Sequence, residues 1–169
     1  MSPEAQLDVV LRTLIALLIG SAVGIEREYR GHAAGVRTLA MVSVGSCIFT
    51  ALGVYVFPGH ATDPTRIAAH VVTGVGFLGA GAIFRAEDGV KGLTTAATVW
   101  VVAALGMAVG FGLFIIATAA AVIVLIGLVL VRPLEIRFLR HPQHPMRRRG
   151  DDVTEPEPTR DDERTDPQR

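Results

Sequence analysis

The chain has one cysteine in 169 residues. Cys47 therefore has no partner for an intrachain disulfide, and no zinc site of spaced cysteines is signalled. Lysine is almost absent: Lys91 stands alone among the 16 basic residues. Acidic residues also number 16, so no excess of positive charge draws the chain to nucleic acid. The phosphate-binding pattern G-x-x-x-x-G-K-[ST], the zinc pattern H-E-x-x-H and the serine elbow are all missing. With no nucleophile–base pair signalled, the reading is of a protein that is not an enzyme. From Leu93 to Val131 there is no charged residue at all.

What the chain does have is apolar sequence gathered into long runs. Half of the residues are hydrophobic and the mean hydropathy is +0.45. Clustering of this kind marks a membrane protein. The runs predict helices over about 7–25, 35–57 and 67–84. The uncharged stretch 93–131 would be about 58 Å long as one helix, against a hydrocarbon core of about 30 Å. It must fold back, and Gly110-Phe111-Gly112 is the place for the turn. Helices over 93–109 and 113–131 follow. The expected fold is an all-α integral membrane protein, a bundle of about five transmembrane helices over residues 1–140. Residues 141–169 carry prolines, an arginine triplet and mixed acids with no apolar cluster, and are expected to form a disordered cytoplasmic tail. Pro58-Gly59-His60 marks a turn between the second and third helices.

The third run contains Gly74, Gly76 and Gly79, which match G-x-G-x-x-G. That pattern signals a dinucleotide only between a strand and a helix of a soluble unit, and here apolar runs flank it. The alternative is helix packing. Ala69, Thr73, Gly76 and Ala80 form one small-residue stripe, with Gly74 and Gly81 on an adjacent one. Small residues on two faces predict a central helix around which the others pack. In the fourth run, Ala103, Gly106 and Gly110 form another such stripe. In the second, Ser43, Cys47 and Thr50 share a face.

Charged and polar groups gather at few places. Asp8 and Arg12, four apart, are placed to pair on the first helix. Glu26, Arg27, Glu28, Arg37 and Arg85 gather at one end of the first three helices. They form either a solvated positive rim or a buried cluster in which Glu26 or Glu28 pairs with Arg37. Thr94, Thr95 and Thr98 bond either their own helix or a neighbour, and Trp100 is expected inside the bundle. The connections after the first and third helices and the segment after the fifth are all basic. With five crossings they share one side, which predicts an external N-terminus and a cytoplasmic C-terminus.

Gly24-Ile25-Glu26-Arg27-Glu28, Gly35-Val36-Arg37-Thr38, Gly74 to Gly81 and Gly92 to Trp100 occur in this order, and with them the chain resembles the MgtC/SapB family of bacterial membrane proteins. The likeness runs from about residue 14 to 110. It implies a multi-pass protein of the bacterial plasma (inner) membrane associated with magnesium homeostasis. It also implies, for some members, regulation of other membrane proteins, including the F-type ATP synthase. Many members carry an ACT-like domain after the helices, where this sequence has 141–169. The virulence-associated branch tends to have Asn at the position of Thr94 and Cys at that of Val101, so the chain resembles the more general branch. The expected partners are the lipid bilayer and another membrane protein or a second copy, with no nucleic acid. No cofactor is called for: magnesium ligation needs carboxylates, and only Asp8, Glu26 and Glu28 lie near the membrane. A magnesium or other cation transporter is the competing expectation.

Overall fold

Ser2 opens the first helix. Its hydroxyl accepts the Ala5 N–H at 3.3 Å, and Pro3 follows at a position where a missing N–H costs nothing. The computed structural model describes residues 1–56, 63–87 and 89–138. In chain order these form α1 (Pro3–Tyr29), α2 (Val36–Val56), α3 (Pro64–Gly81), β1 (Phe84–Ala86), β2 (Gly89–Lys91), α4 (Leu93–Gly110) and α5 (Phe114–Phe138). The expected turn at 58–60 and the tail 141–169 lie outside the described residues. Helices α1, α2 and α4 are each long and apolar enough to cross a membrane. The chain is an all-α membrane protein, with one small addition. Residues 84–86 and 89–91, at the end of the third apolar run and in the basic connection after it, pair as antiparallel strands with Arg85 opposite Val90.

Two helix ends share one chemistry. After α1, Gly31 takes φ 72° and the His32 N–H reaches back to the Arg27 carbonyl at 3.0 Å. After α4, Gly112 takes φ 80° and the Leu113 N–H bonds the Ala108 carbonyl at 2.9 Å. Both are Schellman caps, in which a left-handed glycine turns the chain and satisfies carbonyls the helix leaves free. The second is the turn expected at 110–112, and it divides the uncharged stretch into α4 and α5.

The packing differs from expectation in one respect. The centre of the bundle is α4, which touches all four other helices, and α2 packs against both it and α1. Gly20 and Gly24 of α1 bring α2 in: an added β-carbon would lie 2.7 Å from the Leu39 carbonyl at Gly20 and 2.5 Å from Val36 Cα at Gly24. Gly106 and Gly110 do the same on α4, where a β-carbon would strike the Ser43 backbone and meet the Cys47 carbonyl. Both pairs are spaced G-x-x-x-G, and they clasp the face of α2 that carries Ser43, Cys47 and Thr50, all buried. By contrast α3 is peripheral. Ala69, Thr73, Gly76 and Ala80 are exposed, and nothing lies within 4 Å of a β-carbon added at Gly74, Gly76 or Gly81. Gly79, which lies on neither expected stripe, is buried, in ordinary contact with Ala96 of α4. Small residues on the expected stripes signal close approach, but no described residue comes within 4 Å of a β-carbon at Gly74, Gly76 or Gly81.

Candidate functional site

Helix α1 carries a half-buried arginine, Arg12, in its first half and a buried one, Arg27, in its last turn, and each draws a polar node around itself. The sequence places the end of the first apolar run at Ile25. The helix itself continues one turn further, to Tyr29, because its hydrogen bonding does not stop where apolar residues do. That extra turn puts Arg27 inside the bundle, 2% exposed, where its Nη2 donates to Thr95 Oγ1 of α4 at 3.0 Å. Thr95 is itself buried. A guanidinium taken out of water requires such acceptors.

The rest of this node departs from the expected pairing with Arg37. Glu26 lies 2.5 Å from Arg30 Nε, one turn on along its own helix. Among the described residues no aligned donor meets either Glu26 oxygen, and the pair with Arg30 is held by charge. Glu28 Oε2 accepts the Val36 N–H at 2.9 Å, which caps the first turn of α2 and places a carboxylate against its positive end. A β-carbon on Gly35 would collide with that carboxylate, so glycine there clears the way for the cap. Arg37 and Arg85 are exposed and take part in no ion pair among the described residues. The expected five-residue cluster therefore divides. Arg27 and Glu28 are built into contacts between helices, Glu26 pairs within α1, and Arg37 and Arg85 form the solvated rim.

The threonine motif divides as well. Thr95 faces Arg27, whereas Thr98 is buried and donates to its own Thr94 carbonyl at 2.7 Å. Thr94 is exposed. Trp100, expected inside the bundle, is 49% exposed on the rim of a groove between α3 and α4. On α3, Thr73 donates to the Ala69 carbonyl at 2.9 Å, which leaves its stripe without a polar face.

The second node is larger than the sequence suggested. Arg12 Nε pairs with Asp8 Oδ2 at 2.6 Å, as the spacing of four predicts. Tyr55, in the last turn of α2, donates its hydroxyl to the same oxygen at 2.6 Å and accepts from Arg12 Nη2 at 3.0 Å. Arg12 Nη1 donates to the Gly110 carbonyl at 2.8 Å, and the rings of Tyr55 and Phe114 lie 5.4 and 5.7 Å from its guanidinium carbon. One arginine thus ties α1 to the end of α2, the end of α4 and the start of α5. Sequence reasoning missed Tyr55 and Phe114, since only folding brings them to Arg12. It also missed Gly20 and Gly24, although their G-x-x-x-G spacing was there to read. Among the described residues no group of three or more potential metal ligands gathers.

Comparison with known proteins agrees with this architecture. The description "MgtC family" matches residues 13–137. An uncharacterized protein of Synechocystis, slr0014, is 42% identical over 135 residues, which is 80% of this chain and 57% of that protein. YhiD of Escherichia coli K12, provisionally named a magnesium transporter, is 38% identical over 143 residues, 81% of this chain and 66% of its own length. Protein MgtC of Salmonella typhimurium is 41% identical over 133 residues, 79% and 56% respectively. The chain thus spans between 56% and 66% of the length of these relatives. No solved structure matches it. Apolar helices able to cross a membrane, the buried arginine joints and the match over 13–137 lead to one conclusion: this bacterial membrane protein belongs to the MgtC family.

Proposed function

We propose that this chain is a non-enzymatic, multi-pass plasma-membrane protein that serves magnesium homeostasis by binding and regulating other membrane proteins, or a second copy of itself, through helix contacts. The observation that carries this reading is the open face of α3. Ala69, Thr73, Gly76 and Ala80 are exposed, and a β-carbon at Gly76 meets nothing within 4 Å. In a bilayer, small residues favour association by letting backbones approach, and the approach here is left to a second molecule. The proposed orientation has the N-terminus outside and the C-terminus in the cytoplasm. Arg27, Arg30, Arg37, Arg85 and Lys91 all belong to the joints between α1 and α2 and between α3 and α4, which supports it by the positive-inside rule.

The name of YhiD favours a second reading, transport of magnesium or another cation. Against that route through a single chain stand the two arginine nodes. Arg12 and Arg27 place a fixed positive charge toward each end of the α1–α2–α4 core, and between them the glycine contacts close the space. Flux distinguishes the two readings. Purified protein in liposomes loaded with a magnesium-sensitive dye is expected to pass no more magnesium than empty liposomes. Flux that rises with the amount of protein would overturn the regulatory reading.

A further inference from the structure

Between α2 and α3 runs an apolar groove of about 540 Å³, open to the outside of the bundle. Its floor is built from small residues, Gly45 and Ser46 on α2 and Gly74 on α3, and its walls include Met41, Phe49 and Leu78. No described residue lies within 4 Å of a β-carbon added at Gly45 or Gly74, so the described residues leave the space unfilled. From Ile67 to Leu78 the groove follows α3 for about 16–17 Å along its axis at 1.5 Å per residue. With α3 taken as a crossing in the proposed orientation, the groove runs in the direction an acyl chain takes.

Toward the start of α3 the groove is lined by Ile67 and by one ionisable side chain, His70. Arg66, just outside the lining, precedes His70 by four residues on the same side of the helix. Both are exposed. Arg66 side-chain donors take part in no hydrogen bond or ion pair among the described residues, unlike Arg12 and Arg27, which are committed to the core. Arg66 is the third residue of an 18-residue helix, so its guanidinium sits at the edge of the hydrocarbon while the groove runs inward from it. An apolar slot headed by an exposed guanidinium and an exposed imidazole is complementary to one class of molecule. We propose that the α2–α3 groove is a binding site for a membrane phospholipid with an anionic headgroup. One acyl chain lies along Gly45 and Gly74, and the phosphate is held by Arg66 and His70. This inference goes beyond the helix-contact function and concerns a different face of α3 from the stripe through Gly76.

The test uses the full chain in detergent micelles supplied with equal moles of phosphatidylglycerol and phosphatidylcholine, with retained lipid counted by native mass spectrometry. Wild type is expected to retain one phosphatidylglycerol per chain in preference to phosphatidylcholine. Gly74→Leu and, independently, Gly45→Leu fill the slot without a clash and are expected to lower retention of both lipids about tenfold with unchanged thermal stability. Arg66→Gln is expected to cut retention of phosphatidylglycerol about fivefold and leave phosphatidylcholine unchanged. Equal retention in wild type and in both leucine variants would overturn the proposal. So would equal preference for the two lipids in wild type and Arg66→Gln. A wild-type dimer that both leucine variants convert to monomer would mean that a second copy, not a lipid, fills the groove, and would also overturn it.

Discussion

Thr95 and Thr98 stand one turn apart on α4 and are both buried, yet they serve different ends. The Thr98 hydroxyl is satisfied by its own helix, whereas Thr95 accepts a hydrogen bond from a guanidinium that is 2% exposed. Hydrogen bonds to buried charges are worth about 1.5–3 kcal/mol, against less for a local threonine bond. Thr95→Val is therefore expected to lose about 1.5–3 kcal/mol of stability, and Thr98→Val less than about 1 kcal/mol. Thermal unfolding in detergent measures both, and equal losses would mean that the Arg27–Thr95 contact contributes nothing. A triplet of threonines can be read in the sequence, but which of them meets an arginine 68 positions away cannot. The answer depends on the rotation of α4 against α1, and Gly20, Gly24, Gly106 and Gly110 set that rotation through their contacts on α2.

Glycine has opposite consequences in different helices. At Gly106 a side chain would run into the Ser43 backbone of α2, which cannot move aside as a flexible side chain would. Overpacking of this kind typically costs about 1–3 kcal/mol, so Gly106→Leu is expected to lower the unfolding temperature or prevent accumulation. At Gly76 a side chain meets open space, and Gly76→Leu is expected to leave stability within about 0.5 kcal/mol of wild type. Its effect should fall on function. If the α3 face receives a partner, Gly76→Leu accumulates normally and fails to complement a deletion strain at low magnesium. Full complementation would remove the support that α3 lends to the helix-contact proposal. Both glycines lie in stripes of small residues that look alike in sequence. The pattern records that a backbone can come close, not whether that backbone is in the same chain.

Across the molecule, the basic joints at Arg27–Arg37 and Arg85–Lys91 determine the proposed orientation. On a Cys47→Ser background, Glu4→Cys is expected to react with an impermeant thiol reagent added to intact cells, and Glu87→Cys is expected to react only after lysis. Both native side chains are exposed, so access does not limit either reaction. The opposite pattern would invert the orientation and place the Arg66 end of the lipid groove in the cytoplasmic leaflet.

Number and nature of the helices follow from the sequence by itself, because the length of an apolar run against the bilayer is a one-dimensional quantity. The turn at Gly112 and the Asp8–Arg12 pair follow too, since each rests on neighbours within a few residues. Only the tertiary structure decided that α4 rather than α3 is central, and that Arg27 is buried while Arg37 and Arg85 are not. It also brought Tyr55 and Phe114 to Arg12. Those outcomes depend on which face of each helix meets which neighbour. In lipid every face of an apolar helix is equally soluble, so hydrophobic periodicity cannot mark the inward one. Backbone-to-backbone fit at a few glycines makes that choice, and such fit exists only once two helices are side by side.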